Sequence, residues 1–246
     1  MKRFFNTLII CLILVTTDTL PVNARTFALI AGVSNYGVED ANLSQTTKDA
    51  KAFKQLLSKQ TKDITLLTST YANHDNILEK LRAICNRAQN GDRVIFYFSG
   101  HGNKGYLLTS DIKPLYYTEI ANILNTTKAS DVICFIDACF AGTLASGTTV
   151  QSTASLSNHD GHAYFVSCRP TETSKEAAWV GQGFFTQALL KGLRGKCDYD
   201  HNKEITVLEL FKYIHADVTR RSQKGQHPQL IAPKGMHDKV IFDWKE

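Results

Sequence analysis

The chain has 246 residues, is 43% hydrophobic and 21% charged, and carries a formal net charge of +5 at pH 7. That positive balance is too slight and too evenly spread to argue for a nucleic-acid partner. The six cysteines show no metal-ligand spacing, and the length suits one α/β domain preceded by a leader.

Lys2 and Arg3 open the chain, an apolar run follows over residues 4–15, broken only by Asn6 and Thr7, and Val22-Asn23-Ala24 closes the segment. Charge, apolar run and small-residue site in that order are those of a secretory signal. The run is shorter than the roughly 20 residues a transmembrane helix needs, so no stable membrane anchor is expected after cleavage. Bulky Ile10 before Cys11 argues against lipidation. The expected organisation is a signal peptide over 1–24 and one domain over 25–246, exported to a periplasmic or extracellular space. Five cysteines then remain, so at least one thiol is unpaired; disulfide pairing among them is not legible.

Residues 26–33 read as a buried strand, followed by a long loop through Asn35, Tyr36 and Gly37. The spacing of Ala50, Phe53, Leu56 and Leu57 predicts a helix over 47–57 with Asp49 in its first turn, where negative charge is favourable. A short strand is expected over 64–67 and an amphipathic helix over 76–88, stopped by Asn90-Gly91. Residues 94–98 form a continuous apolar run within the stretch 93–99, as do 132–136 within 131–137, and small residues follow each. Unalternating runs of this kind are covered on both faces, the habit of parallel sheets. Between them a small hairpin is expected over 105–116 and a short helix over 118–124. A strand over 163–167, a helix over 208–218 and a last strand over 239–244 complete the alternation. The fold class is therefore α/β, with a mostly parallel central sheet between helix layers.

Chemistry gathers at two strand ends. His101 follows Ser99-Gly100, and Cys139 follows Asp137-Ala138. Ligands of open α/β sheets bind beyond the carboxyl ends of the strands, so neighbouring strands would set imidazole against thiol. A thiol at its ordinary pKa is a few per cent thiolate and needs an adjacent base, for which His101 is the candidate. The N–H groups of Gly102 and Cys139 form a candidate oxyanion pair. Asp137, two residues before Cys139, is expected on the same side of its strand.

Ser-Gly-His-Gly after one hydrophobic strand and Asp-x-Cys-x-x-Gly after the next resemble the caspase-like cysteine peptidases, nearer to metacaspases than to animal caspases. The likeness runs from about Thr26 to about Leu230. Asp137-Ala138-Cys139 stands where true caspases have Gln-Ala-Cys, and 38 residues separate His101 from Cys139 rather than about 50. The resemblance implies the caspase three-layer sandwich and an endopeptidase acting on protein or peptide substrates with no required cofactor. It also implies that Asp137 and Asp49 line a pocket for a basic P1 residue, the residue before the cut bond. Ser167-Cys168-Arg169 resembles the stretch with which true caspases hold an acidic P1, but their second arginine is Leu43 here. Residues 171–176 resemble a loop bordering the family's cleft, and 183–189 a helix the family shares. The stretch 143–162, cut in animal caspases, contains no lysine or arginine, so an enzyme specific for those residues stays a single chain. An acidic or asparagine preference, and a catalytically silent binding module, remain open alternatives.

From Asp198, oxygen-bearing residues fall at positions 1, 3, 5, 7, 9 and 12 of a calcium-loop pattern, through Asp200, Asn202, Glu204, Thr206 and Glu209. Lys203 replaces the glycine of position 6. Calcium is thus an open cofactor, with a solvated turn as the plainer expectation. Oligomeric state is not legible.

Overall fold

The computed structural model describes residues 24–139, 141, 160–169 and 183–244. The elements in order are β1 (Thr26–Gly32), α1 (Thr46–Leu57), β2 (Ile64–Thr68), α2 (His74–Arg87), β3 (Arg93–Ser99), β4 (Gly102–Asn103), β5 (Tyr106–Leu108), β6 (Pro114–Tyr116), α3 (Tyr117–Leu124), β7 (Asp131–Asp137), β8 (His162–Val166), α4 (Phe184–Lys191), β9 (Glu204–Thr206), α5 (Val207–Arg221), β10 (Gln229–Ile231) and β11 (Val240–Asp243). Residues 1–23 of the expected signal segment, residues 143–159 of the stretch cut in animal caspases, and the loop over 171–176 lie outside the described residues.

A six-stranded sheet runs in the order β10-β8-β7-β3-β1-β2. All neighbours are parallel except β10, which pairs antiparallel with β8 at the edge. The continuous apolar runs are explained by cover on both faces. One face sets Phe96, Phe98, Cys134 and Ile136 against α2 and α3. The other sets Tyr97, Ile133 and Phe135 against α1, α4 and α5. This is the three-layer α/β sandwich expected from the alternation of strands and helices.

Two caps explain where helices begin. The Asn73 side chain accepts the Asn76 N–H at 2.9 Å, so α2 starts at His74, ahead of the apolar stripe that predicted 76. Thr206 and Glu209 form a reciprocal capping box that starts α5 at Val207. The hairpin over 105–116 is a three-stranded sheet, because Gly102–Asn103 adds a strand. Strands β9 and β10 have only three residues each, too few for a pattern to announce them.

α1 lies directly on β1. A Cβ at Gly32 would meet both the Thr46 carbonyl oxygen and the Ala50 Cβ at 2.6 Å. The buried Thr46 hydroxyl also donates to the Val33 carbonyl at 2.8 Å. The first turn of α1, with Asp49, is thereby held over the carboxyl end of the sheet.

Candidate active site

β3 and β7 run in register to their last residues, with Ser99 opposite Asp137. His101 and Cys139 each stand two residues beyond. The Gly100 N–H donates to the Asp137 carbonyl at 3.2 Å, tying one exit to the other. A Cβ at Gly102 would lie 2.6 Å from the Cys139 carbonyl oxygen and 3.0 Å from the Ala138 Cβ, so this closeness requires glycine. The Leu108 N–H donates to the His101 carbonyl at 2.9 Å. Antiparallel alternation then leaves Gly102, opposite Leu107, with its N–H directed away from β5.

Two groups from the loop after β1 hold His101. Its backbone N–H donates to the Tyr36 hydroxyl at 2.7 Å, and the two rings lie 4.7 Å apart. Its Nε2 is 2.8 Å from the Ala41 carbonyl oxygen. A carbonyl can only accept, so Nε2 carries the proton and a neutral ring keeps its lone pair on Nδ1. Neither Tyr36 nor Ala41 was foreseen as part of the site. Tyr36 sits in a loop without period, and Ala41 contributes main chain that no side-chain pattern signals.

Cys139 is 6% exposed. Burial, then Cys168 and Asp137, push its thiol up to about 11. No hydrogen bond joins the His101 ring to the thiol among the described residues. All five described cysteines are thiols.

Asp137 turns to the α1–α4 side of the sheet, in step with Ile133 and Phe135, while its charge still acts on Cys139. Its Oδ2 accepts the Thr186 hydroxyl at 2.8 Å and the Thr186 N–H at 3.3 Å. Burial, together with Asp49 from α1, lifts Asp137 to about 7. Burial lifts Asp49 to about 6, against the pull of Lys48. Asp49 Oδ2 has no hydrogen-bond partner among the described residues. The two carboxylates singled out in the sequence thus act on one another, and Asp137 acts on the thiol. Arg169 is exposed at the end of β8, where its charge acts on His215 of α5, and Leu43 packs on the core.

A caspase-domain family model matches residues 25–236. The chain belongs to the caspase-domain family. A probable protease of a Desulfuromonadales bacterium is 25% identical to this caspase-domain protein over 245 residues, 80% of this chain and 30% of the relative. The chain therefore spans about a third of that relative's length. A protein of Geobacter sulfurreducens superposes with a TM-score of 0.65 at 16% identity, covering 90% of this chain and all of that one. Caspase-1 of Spodoptera frugiperda does so with 0.61 at 15% identity, covering 91% and 93%. The fold is that of the caspases.

Away from the strand ends, Asp198, Asp200 and Glu209 of this caspase-domain protein place ligand oxygens within 4.8 Å of one another. Asp198 and Asp200 accept the Asn202 N–H, Asn202 Oδ1 accepts the Glu204 N–H, and Glu209 is engaged in capping α5. Lys203 adopts φ 66°, the left-handed conformation for which a calcium loop uses glycine. No helix among the described residues is long and apolar enough to cross a membrane.

Proposed function

We propose that this caspase-domain protein is an exported cysteine endopeptidase that cuts after arginine or lysine. The observation that carries the reading is the pairing of in-register strand ends: a histidine with its Nδ1 lone pair available on one, a cysteine on the other, with buried Asp137 and half-buried Asp49 nearby. Cys139 attacks the scissile carbonyl, and its proton passes to His101, which returns it to the leaving amine. A thiol held near 11 is not ionised in advance. Proton transfer therefore accompanies attack. The N–H groups of Gly102 and Cys139 receive the oxyanion. Asp49 and Asp137 take the P1 cation, and water hydrolyses the thioester. This chemistry needs no cofactor, and a calcium titration of the same assay tests the loop at Asp198–Glu209.

The elevated thiol and the absent ring–thiol hydrogen bond favour one rival, a silent binding module. Fluorogenic peptides differing only at P1, with Arg, Lys, Asp and Asn compared, separate the two. We expect cleavage after Arg and Lys, lost in Cys139→Ala. Cleavage only after Asp gives the pocket to Arg169, and no cleavage in any condition favours the module.

A further inference from the structure

Two hydroxyls stand behind Asp137, and the reaction proposed above uses neither. Thr186 is fully buried and occupies the third position of α4, where a backbone N–H has no partner within the helix. It turns both its donors on one oxygen: hydroxyl and N–H reach Asp137 Oδ2 at 2.8 and 3.3 Å. The Tyr97 hydroxyl, also fully buried, lies 2.7 Å from Thr186 Oγ1. An ionised carboxylate only accepts, so the Thr186 hydroxyl commits its single proton to Asp137, and Tyr97 must donate to Thr186. The chain of bonds has one direction, from β3 through α4 to the end of β7.

We propose that Thr186 is a positioning residue for P1 specificity: its hydroxyl, oriented by Tyr97, holds the Asp137 carboxylate ionised and aimed at a guanidinium or ammonium side chain shared with Asp49. The proposal rests on reading Asp49 and Asp137 as the P1 pocket. A donor directed at the charged form opposes the burial that drives Asp137 toward neutrality. The titratable groups facing Asp137 are Asp49 from α1, with Lys48 beside it, Tyr97 from β3, and Cys139 beyond β7. From α4 the contact is the non-titrating Thr186. Among these, Asp49 and the buried environment favour a protonated Asp137, and the threonine donors favour the anion.

The test is a pH series of kcat/KM for P1 Arg, Lys and Gln substrates with the wild type, Thr186→Val, Thr186→Ser, Tyr97→Phe and Asp137→Asn. We expect Thr186→Val to lower kcat/KM for Arg and Lys about tenfold, chiefly through KM, and to leave the Gln substrate unchanged. Losing the donor raises the Asp137 pKa, so the acid limb of the Arg profile moves to higher pH. Thr186→Ser restores both values, and Tyr97→Phe moves the limb the same way by less. If the valine variant does not fold, the Tyr97→Phe shift alone decides. A uniform loss across all three substrates with the limb in place overturns the proposal and leaves Thr186 a packing residue. If Asp137→Asn keeps the Arg and Lys preference, the pocket reading itself fails, a result distinct from an unshifted Thr186→Val.

Discussion

Aspartates sit at both ends of the central sheet on opposite terms. At the amino ends, Asp131 opens β7 with Arg93 at 2.9 Å and Lys239 at 3.2 Å. Asp92 accepts the N–H groups of Arg25 and Gln89 at 2.9 and 2.8 Å. Asp63 is held below the usual carboxylate range by hydrogen bonds from Arg25 and Arg87. A cavity of about 580 Å³ opens at this end, but its lining mixes Arg25 and Arg93 with Asp131 and Glu204, so its charges answer one another. At the carboxyl ends, half-buried Asp49 and buried Asp137 act on one another, no ion pair among the described residues reaches either, and their pKa values rise to about 6 and 7. Uncompensated buried charge destabilises a fold. The contrast locates where the chain bears that cost, which is beside the thiol.

Replacement at one end and then the other sharpens the comparison. Asp137→Asn should lower kcat/KM for Arg and Lys substrates on the order of 100-fold while thermal stability at pH 8 holds or rises, because a buried charge is removed and an amide oxygen still accepts from Thr186. Activity assays with a melting curve on the same preparation read both. Asp131→Asn should do the reverse: a loss of about 2 kcal/mol in denaturant unfolding, since Arg93 and Lys239 lose their partner, with unchanged kcat/KM per folded molecule. Equal behaviour of the two variants would erase the distinction between the ends. The most gradual effect is in pH. Asp49 and Asp137 bind protons more tightly folded than unfolded, so their contribution is full below about pH 4 and is lost as pH rises toward 6 to 7. Stability should fall across that window by at most about 1.4 kcal/mol per pH unit for each acid, less for half-buried Asp49. Asp137→Asn should flatten the slope, and a wild type that gains stability between pH 4 and 7 contradicts the assignment.

Much of this arrangement was legible in the sequence because it rests on period and punctuation. Unbroken apolar runs before Ser99-Gly100 and Asp137-Ala138 announced covered parallel strands, and what followed each run supplied the histidine and the cysteine. The stripe of Ala50, Phe53 and Leu57 placed α1, and with it Asp49. What escaped was carried by main chain or by residues whose type suits the core equally well. The Ala41 carbonyl has no side-chain signature. Tyr97 lies within an apolar run and Thr186 within a helix noted only by resemblance, and only the packing of α4 on β3 and β7 links their hydroxyls to Asp137. β10 has three residues, and its place at the sheet edge comes from pairing with β8. Strand alternation placed Asp137 on the side of Cys139, but alternation ends with the strand, so their relation depends on the turn after β7.

Gly32 sets a dimension. Because α1 meets β1 there main chain to side chain with no room for a methyl, the helix has no cushion of flexible groups on which to drift. Asp49 belongs to the turn that makes this contact, and Asp137 to a strand locked in register two places along the sheet. The spacing of the two acids is therefore a fixed gauge rather than an adjustable clamp. In the pocket proposed above, a cation of the wrong reach is not accommodated by letting the walls follow it, and enlarging residue 32 would reset the gauge without touching either acid.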